Sequence, residues 1–409
     1  MLKPILFAAL AAFSAMAWSD EDRTSHYSLD QLLNLTLSGN RAVLAARDQI
    51  DAARAGLVSA GAYPNPELEA GSGPARARLA DGRSGTMQSL TVTQRIDFPG
   101  QRAARQQAAS AGIDATSAAV RAFEAERIAQ VKLRYYELLR REAETLAARD
   151  DLALMAEIRR RIGLRVETGE APRYELIKAD AEFLNAQKAS QAAVLRVEQA
   201  RANLRREVGA ELPARFTISG ELDAPPPLPP LETLRDEIRA RSPELARSRA
   251  EAERAERQLE LERRRRMPEL ALKAGVDQDP DLRSSQFGFV VTIPLWDRRA
   301  GPIGEAAAQA SRARNEREQQ EFSALQSLET AWQQYQIAST QVAALESGIV
   351  RQAEAALKVA EAAYRFGERG ILDYLDAQRV YRAARSDLIA ARYELRSADV
   401  EIARLLAAH

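Results

Sequence analysis

Two carboxylates three residues apart, Asp373 and Asp376, follow a two-glycine break and are side chains whose type and spacing could meet a positive charge together. They follow Tyr364-Arg365-Phe366-Gly367-Glu368-Arg369-Gly370, whose glycines can take the positive φ angles that end one helix and turn into the next. The spacing puts both aspartates on one face of the new helix, in the first turns, where the positive end of the helix dipole favours them. A solvated helix start favours acidic residues for the same reason, so the pair alone does not define a site. A related stretch, Arg165 to Ala179, lies half a chain earlier, with Gly169 at its turn and Glu175 aligned with Asp373 at an offset of 198.

Other chemistries find little footing. The chain has no cysteine and two histidines, His26 and His409, near its ends, so disulfides are excluded and a high-affinity transition-metal site lacks its usual ligands. Neither Gly-x-Ser-x-Gly nor His-Glu-x-x-His occurs, and the tip glycines follow no strand as a nucleotide loop would. No enzyme activity and no cofactor are expected. Lys+Arg and Asp+Glu both number 58, and that balance gives no field for nucleic acid. Acidic residues on the Arg-rich helices read as solvent-facing partners.

The elements that must position these residues are long helices. Aromatic residues make up 6% and charged residues 28% of the 409-residue chain, a mix that favours extended helices packed through small side chains. No proline interrupts 101–171 and none follows Pro302, and Gln101 to Glu167 as one helix would span on the order of 100 Å. Leu328, Trp332, Tyr335, Val342, Ile349, Ala353, Ala356, Ala360 and Ala363 repeat at four and three, with Ser339 and Glu346 as polar exceptions, a coiled-coil seam that needs partners.

Everything recurs. Pro66-Glu67-Leu68 matches Pro268-Glu269-Leu270, and Gly73 matches Gly275, both at an offset of 202; equal offsets indicate duplication. Ser28 and Gln31 form a capping box opening a short helix to Gly39, repeated by Leu231 to Arg241, after which Ser242-Pro243 supplies an N-cap with proline at the first position. Each half then carries a period-two segment: Leu68-Ala70-Ser72 and Leu90-Val92-Gln94-Ile96 around a loop at 76–85, and Leu270-Leu272-Ala274-Val276 and Phe287-Phe289-Val291-Ile293-Leu295 around a polar turn from Asp277 to Ser285. These strands approach the 9–11 residues of a membrane-crossing β-strand.

Residues 1–17 read as a cleaved signal peptide ending Ala15-Met16-Ala17. With no cysteine there is no N-terminal lipidated cysteine, and no later apolar run approaches a spanning helix. The expected division is a first repeat over 18–211, with a β-hairpin at about 66–97 and a helical hairpin at about 101–209, then a Pro-rich linker over 212–230 that is extended, packed or loosely held outside. The second repeat covers 231–409, with a β-hairpin at about 268–295 and a helical hairpin at about 302–407. Arg263 to Arg266 reads as a favourable helix C-terminus, with phosphate contact at a membrane surface as the other reading.

The fold class is mainly α with a small β part. Four strands cannot close a membrane barrel, since open edges in hydrocarbon cost several kcal/mol per unpaired backbone group, so assembly with further copies is required. The duplicated plan and the tip Tyr364 to Ala377 resemble the TolC-like outer-membrane efflux channels, over essentially the whole mature chain. Ile96-Asp97-Phe98-Pro99-Gly100-Gln101-Arg102 and Ile293 to Ile303 more closely resemble the heavy-metal, CzcC-like branch.

The resemblance implies a homotrimer with a twelve-stranded outer-membrane β-barrel continued by a periplasmic α-barrel. Its implied partners are a periplasmic adaptor, an inner-membrane pump of the resistance–nodulation–division (RND) type and outer-membrane lipid. Substrates, heavy-metal cations among them, would pass through this exit duct. The resemblance also places Asp373 and Asp376 at the periplasmic constriction, lets Arg369 or Tyr364 tie the adjacent hairpin through Glu175 or another polar group, and sets the tips at Gly169, Gly367 and Gly370 against the adaptor. A periplasmic adaptor and a structural coiled coil of the envelope are the competing readings.

Overall fold

The computed structural model describes residues 25–76 and 83–407, so the signal-peptide reading at 1–17 and His409 lie outside the described residues. The first half runs β1 (Ser25–Tyr27), α1 (Leu29–Gly39), α2 (Arg41–Gly61), β2 (Glu67–Ala75), β3 (Gly85–Ile96), α3 (Gln101–Glu167) and α4 (Arg173–Val208). After β4 (Phe216–Ile218) come α5 (Leu231–Arg241), α6 (Pro243–Arg264), β5 (Glu269–Gln278), β6 (Arg283–Thr292), α7 (Ala300–Ala344), a π-helical turn (Leu345–Ile349), α8 (Val350–Arg365) and α9 (Ile371–Leu406). The offset of 202 separates the starts of α1 and α5, of α2 and α6, and of β2 and β5.

The residues form two compact units, and each draws segments from both halves of the chain. Among the described residues, one holds Ser25–Arg41, Arg127–Leu228 and Ala331–Ile402; the other holds Ala42–Glu126, Pro229–Thr330 and Ala403–Ala407.

In the second unit β2, β3, β5 and β6 form one antiparallel sheet in that order. Register decides its two faces, because directly paired residues share a face and residues two apart along a strand share it as well. One face stacks the rows Leu68, Val92, Ala274, Phe287 and Ile96, Leu270, Val291. The other stacks Glu69, Thr91, Gly275, Gln286 and Gly71, Ser89, Asp277, Ser284. Phe287 and Phe289 are 78% and 72% exposed, so the apolar face is not covered by the chain itself.

The first unit buries its own core. Leu32 of α1, Val131 and Leu138 of α3, and Leu204 and Val208 of α4 pack with Leu212, Phe216 and Leu222. Those last three belong to the 212–230 linker, which is therefore extended but not loosely held. β4 pairs in parallel with β1, and Tyr335 Oη donates to the carbonyl of Pro226 at 3.0 Å. Leu212, Phe216 and Leu222, spaced four and six apart among prolines, follow neither the helical nor the strand period.

Three further expectations are corrected. The polar turn between β5 and β6 is only Asp279 to Leu282, where Asp279 Oδ1 accepts from the backbone of Asp281 at 2.9 Å and of Leu282 at 2.6 Å. Asp277 and Ser284 belong to the strands because they sit on the polar face. Ser242 precedes Pro243 as expected but its Oγ caps nothing; its backbone already closes α5 by donating to Ile238 O at 3.0 Å. The coiled-coil seam runs through Ala324, Leu328, Ala331, Tyr335, Ala338, Val342 and Leu345, with Ile349 exposed, and resumes at Ala353. The π-helical turn at Leu345–Ile349 adds a residue and resets the phase, which a strict four-three count cannot register.

Candidate functional site

Both helical turns of the first unit close in the same way. At the end of α8 the Gly367 N–H donates to Tyr364 O at 3.2 Å and the Glu368 N–H to Ala363 O at 2.9 Å. At the end of α3 the Gly169 N–H donates to Val166 O at 3.2 Å and the Glu170 N–H to Arg165 O at 2.7 Å. This is the Schellman closure, which needs a left-handed residue, and Gly169 and Gly367 supply it at φ 79° and 74°. Gly370 does not adopt a positive φ, contrary to expectation: one left-handed residue is enough to end α8, and Gly370 lies just before α9.

Between these turns the four helices share a core of Met155, Ile158, Ile162, Tyr364, Ile371 and Tyr374, among others. In the first two turns of α9 the buried residues are Ile371, Tyr374, Leu375 and Gln378. That spacing turns Asp373 and Asp376 to solvent on the opposite side. Asp373 Oδ2 lies 3.6 Å from Arg369 Nη1, an exposed pair within one helix end. Asp376 has no ion-pair partner among the described residues.

Tyr364 is a core residue here. Its ring stacks on Tyr374 with centroids 6.0 Å apart, and the Arg165 guanidinium lies over the Tyr364 ring, 5.1 Å from its centroid. Burial pushes the Tyr364 hydroxyl up, against the opposing pull of Arg165, and burial pushes Tyr374 up to about 12. The Tyr364 hydroxyl and Glu175 Oε2 are both buried without a hydrogen-bond partner. Within the chain, therefore, neither Arg369 nor Tyr364 bonds Glu175.

The polar ties between the two helical hairpins lie further along α9. Gln378 and Arg382 both donate to Asp151 of α3, the latter at 3.4 Å; Arg379 pairs with Glu182 of α4, and Arg385 with Asp150 at 2.8 Å. Arg161 of α3 reaches Glu361 of α8 at 3.3 Å. Burial raises the Asp151 carboxyl above its ordinary range, with Arg382 and Gln378 opposing. A cleft of about 330 Å³ adjoins these pairs, lined by Arg141, Asp150, Asp151, Arg196, Arg382 and Arg385 among others.

A duplicated helical plan with one membrane-like sheet narrows the identity, and comparison decides it. The profile described as outer membrane efflux protein matches residues 32–210 and 234–408, nearly all of both repeats. The chain belongs to the outer membrane efflux protein family. It is an outer-membrane efflux channel, and neither the adaptor nor the structural coiled-coil reading is favoured.

The cobalt-zinc-cadmium resistance protein CzcC of Cupriavidus metallidurans is 27% identical over 361 residues, 88% of this chain and 84% of that protein. A membrane protein from Pseudomonas aeruginosa superposes with a TM-score of 0.79 at 21% identity, covering 92% of this chain and 90% of that one. The open state of the Neisseria gonorrhoeae MtrE outer membrane channel superposes at 0.78 and 19% identity, covering 92% and 88%. These relatives bear out the TolC-like plan and the CzcC-like branch.

In this efflux protein the structure brings Tyr364, Glu175 and the turn glycines to one end of the first unit's helices, with Asp373 and Asp376 facing outward there. The Arg379–Glu182, Arg382–Asp151 and Arg385–Asp150 ties went unread because on Arg-rich helices nearly every turn offers a pair. The one available signal was Gln378, Arg382 and Arg385 recurring at four and three on α9.

Proposed function

We propose that three copies of this chain form the exit duct of a tripartite efflux system, receiving substrate from a periplasmic adaptor and an inner-membrane RND pump. The observation that carries this reading is the sheet. β2 and β6 are unpaired edges, and one face carries Leu68, Leu90, Val92, Phe287, Phe289 and Val291, with Gln94 and Ser285 among them. Three such sheets joined edge to edge would supply twelve strands, within the even-numbered range of outer-membrane barrels, with the long helices supplying a periplasmic α-barrel and export through the leader at 1–17. The CzcC name specifies cobalt, zinc and cadmium for that relative, and heavy-metal cations are the cargo proposed here.

Three-fold symmetry would set six carboxylates from Asp373 and Asp376 around the mouth, a ring that favours cations. A tie from Arg369 or Tyr364 to Glu175 or another polar group of the adjacent hairpin would hold the mouth, and Tyr364 and Glu175 carry unused hydrogen-bonding capacity for it. The Gly169, Gly367 and Gly370 tips meet the adaptor.

Outer-membrane fractions should contain a heat-resistant trimer; a detergent-stable single subunit would overturn the assembly. Asp373→Asn with Asp376→Asn should preserve that trimer and lower cadmium or zinc resistance of a host lacking its own duct, with unchanged resistance removing the carboxylate ring. Gly367→Val imposes about 1–2 kcal/mol of left-handed strain at the turn and should reduce adaptor crosslinking while the trimer persists.

A further inference from the structure

The end of the sheet nearest α6 carries charges that the chain does not use. Arg263, Arg266 and Arg298 are exposed and have no acidic partner among the described residues. They flank an apolar group that continues the β5–β6 hairpin: Ile293 is 60% exposed, Leu295 59% and Trp296 94%.

This end is built, not frayed. Glu262, nearly buried near the end of α6, accepts from Arg265 at 2.8 Å and from Arg299 at 2.6 Å. Arg299 holds a positive φ of 57°, and its backbone N–H donates to Asp297 Oδ1 at 2.8 Å. Glu262 thereby holds the segment after β6 against the helix preceding β5, fixing where Trp296 and the three free guanidiniums emerge. The corresponding end of the first hairpin differs. There Arg95 pairs with Glu67 at 3.0 Å, Arg105 with Asp97 at 2.7 Å, and Arg102 lies 4.2 Å over the Tyr63 ring. The first copy of the repeat engages these arginines within the chain, two with carboxylates and one with a tyrosine ring, whereas the second presents three to the outside beside a bare tryptophan.

We propose that Arg263, Arg266 and Arg298, with Leu295 and Trp296, form a headgroup site for an anionic glycerophospholipid in the leaflet on the helical side of the sheet. The site rests on the membrane-spanning reading of that sheet. Guanidinium groups match phosphate oxygens in charge and in fork geometry. An indole at the acyl boundary keeps its N–H toward the headgroups. Continuity with the apolar face of β5 and β6 selects a lipid over a free anion, because Ile293 and Leu295 have no role in holding phosphate alone.

Full-length protein purified in mild detergent is offered phosphatidylglycerol, phosphatidylethanolamine or inorganic phosphate, and retained lipid is read by native mass spectrometry. Phosphatidylglycerol should be retained in preference to phosphatidylethanolamine, and each of R263Q, R266Q and R298Q should weaken that retention about fivefold. Equal retention of the two lipids, no change in the triple variant, or displacement by inorganic phosphate would overturn the site.

Nanodiscs made with brominated acyl chains give the second readout. In a W18F/W332F background, Trp296 emission should be quenched, and an F289W/W296F companion reports insertion of the sheet itself. Quenching of that companion without quenching of Trp296 sinks the lipid site while leaving the barrel standing. Quenching of neither sinks the barrel, and the site with it.

Discussion

Asp151 shows how a single buried side chain can couple pH to the relation between two hairpins. Burial raises its carboxyl, so the folded chain holds this proton more tightly than the unfolded chain does. Its contribution to stability is therefore largest below the ordinary carboxylate range and declines as pH rises through the raised value. Asp151→Asn should unfold with the wild type under acidic conditions and at higher temperature near neutrality, as read by thermal scans across pH. A wild type that gains on the variant as pH rises would reverse the sign. Glu157 behaves oppositely: Arg160 and Arg161 hold it down at about 2, and its exposure makes it a solvated partner of little energetic weight.

At the level of elements, the local rules that open and close helices operate where expected. Ser28 Oγ accepts from the Gln31 backbone at 3.3 Å, and Gln31 Oε1 accepts from the Ser28 backbone at 2.8 Å, closing the capping box of α1. Ser28→Ala should cost about 1 kcal/mol, visible as roughly fivefold faster hydrogen exchange at the start of α1 with little change in the global melt. Unchanged exchange would mean that α1 is held by its buried face, through Leu32 and Thr36, and not by its cap. The π-helical turn follows another logic. Glu346-Ser347-Gly348 breaks the alanine-rich seam, and the extra residue lets Leu345 and Ala353 both stay buried.

For the whole molecule the decisive asymmetry is between the faces of one sheet. Phe289→Arg puts a charge on the apolar face, at an expected cost of about 2–4 kcal/mol if that position lies near the bilayer midplane, and should deplete the protein from the outer-membrane fraction. Gln286→Lys, three residues away on the polar face, should leave membrane yield unchanged. Equal yields for the two variants would show that this sheet does not meet lipid.

Much of this was legible in the residues. Period two marked β3, β5 and β6, the offset of 202 marked the duplication, and Gly169 and Gly367 marked the turns, because each follows from backbone geometry acting over a few neighbours. Packing between distant segments was decided only in three dimensions. Seating Leu212, Phe216 and Leu222 in the core, choosing Asp151 and Glu182 as partners of α9, and shifting the seam by a π-helical turn all depend on which helix faces which. On helices where arginine and glutamate recur at nearly every turn, periodicity names many possible pairs, and only the tertiary structure selects those that form.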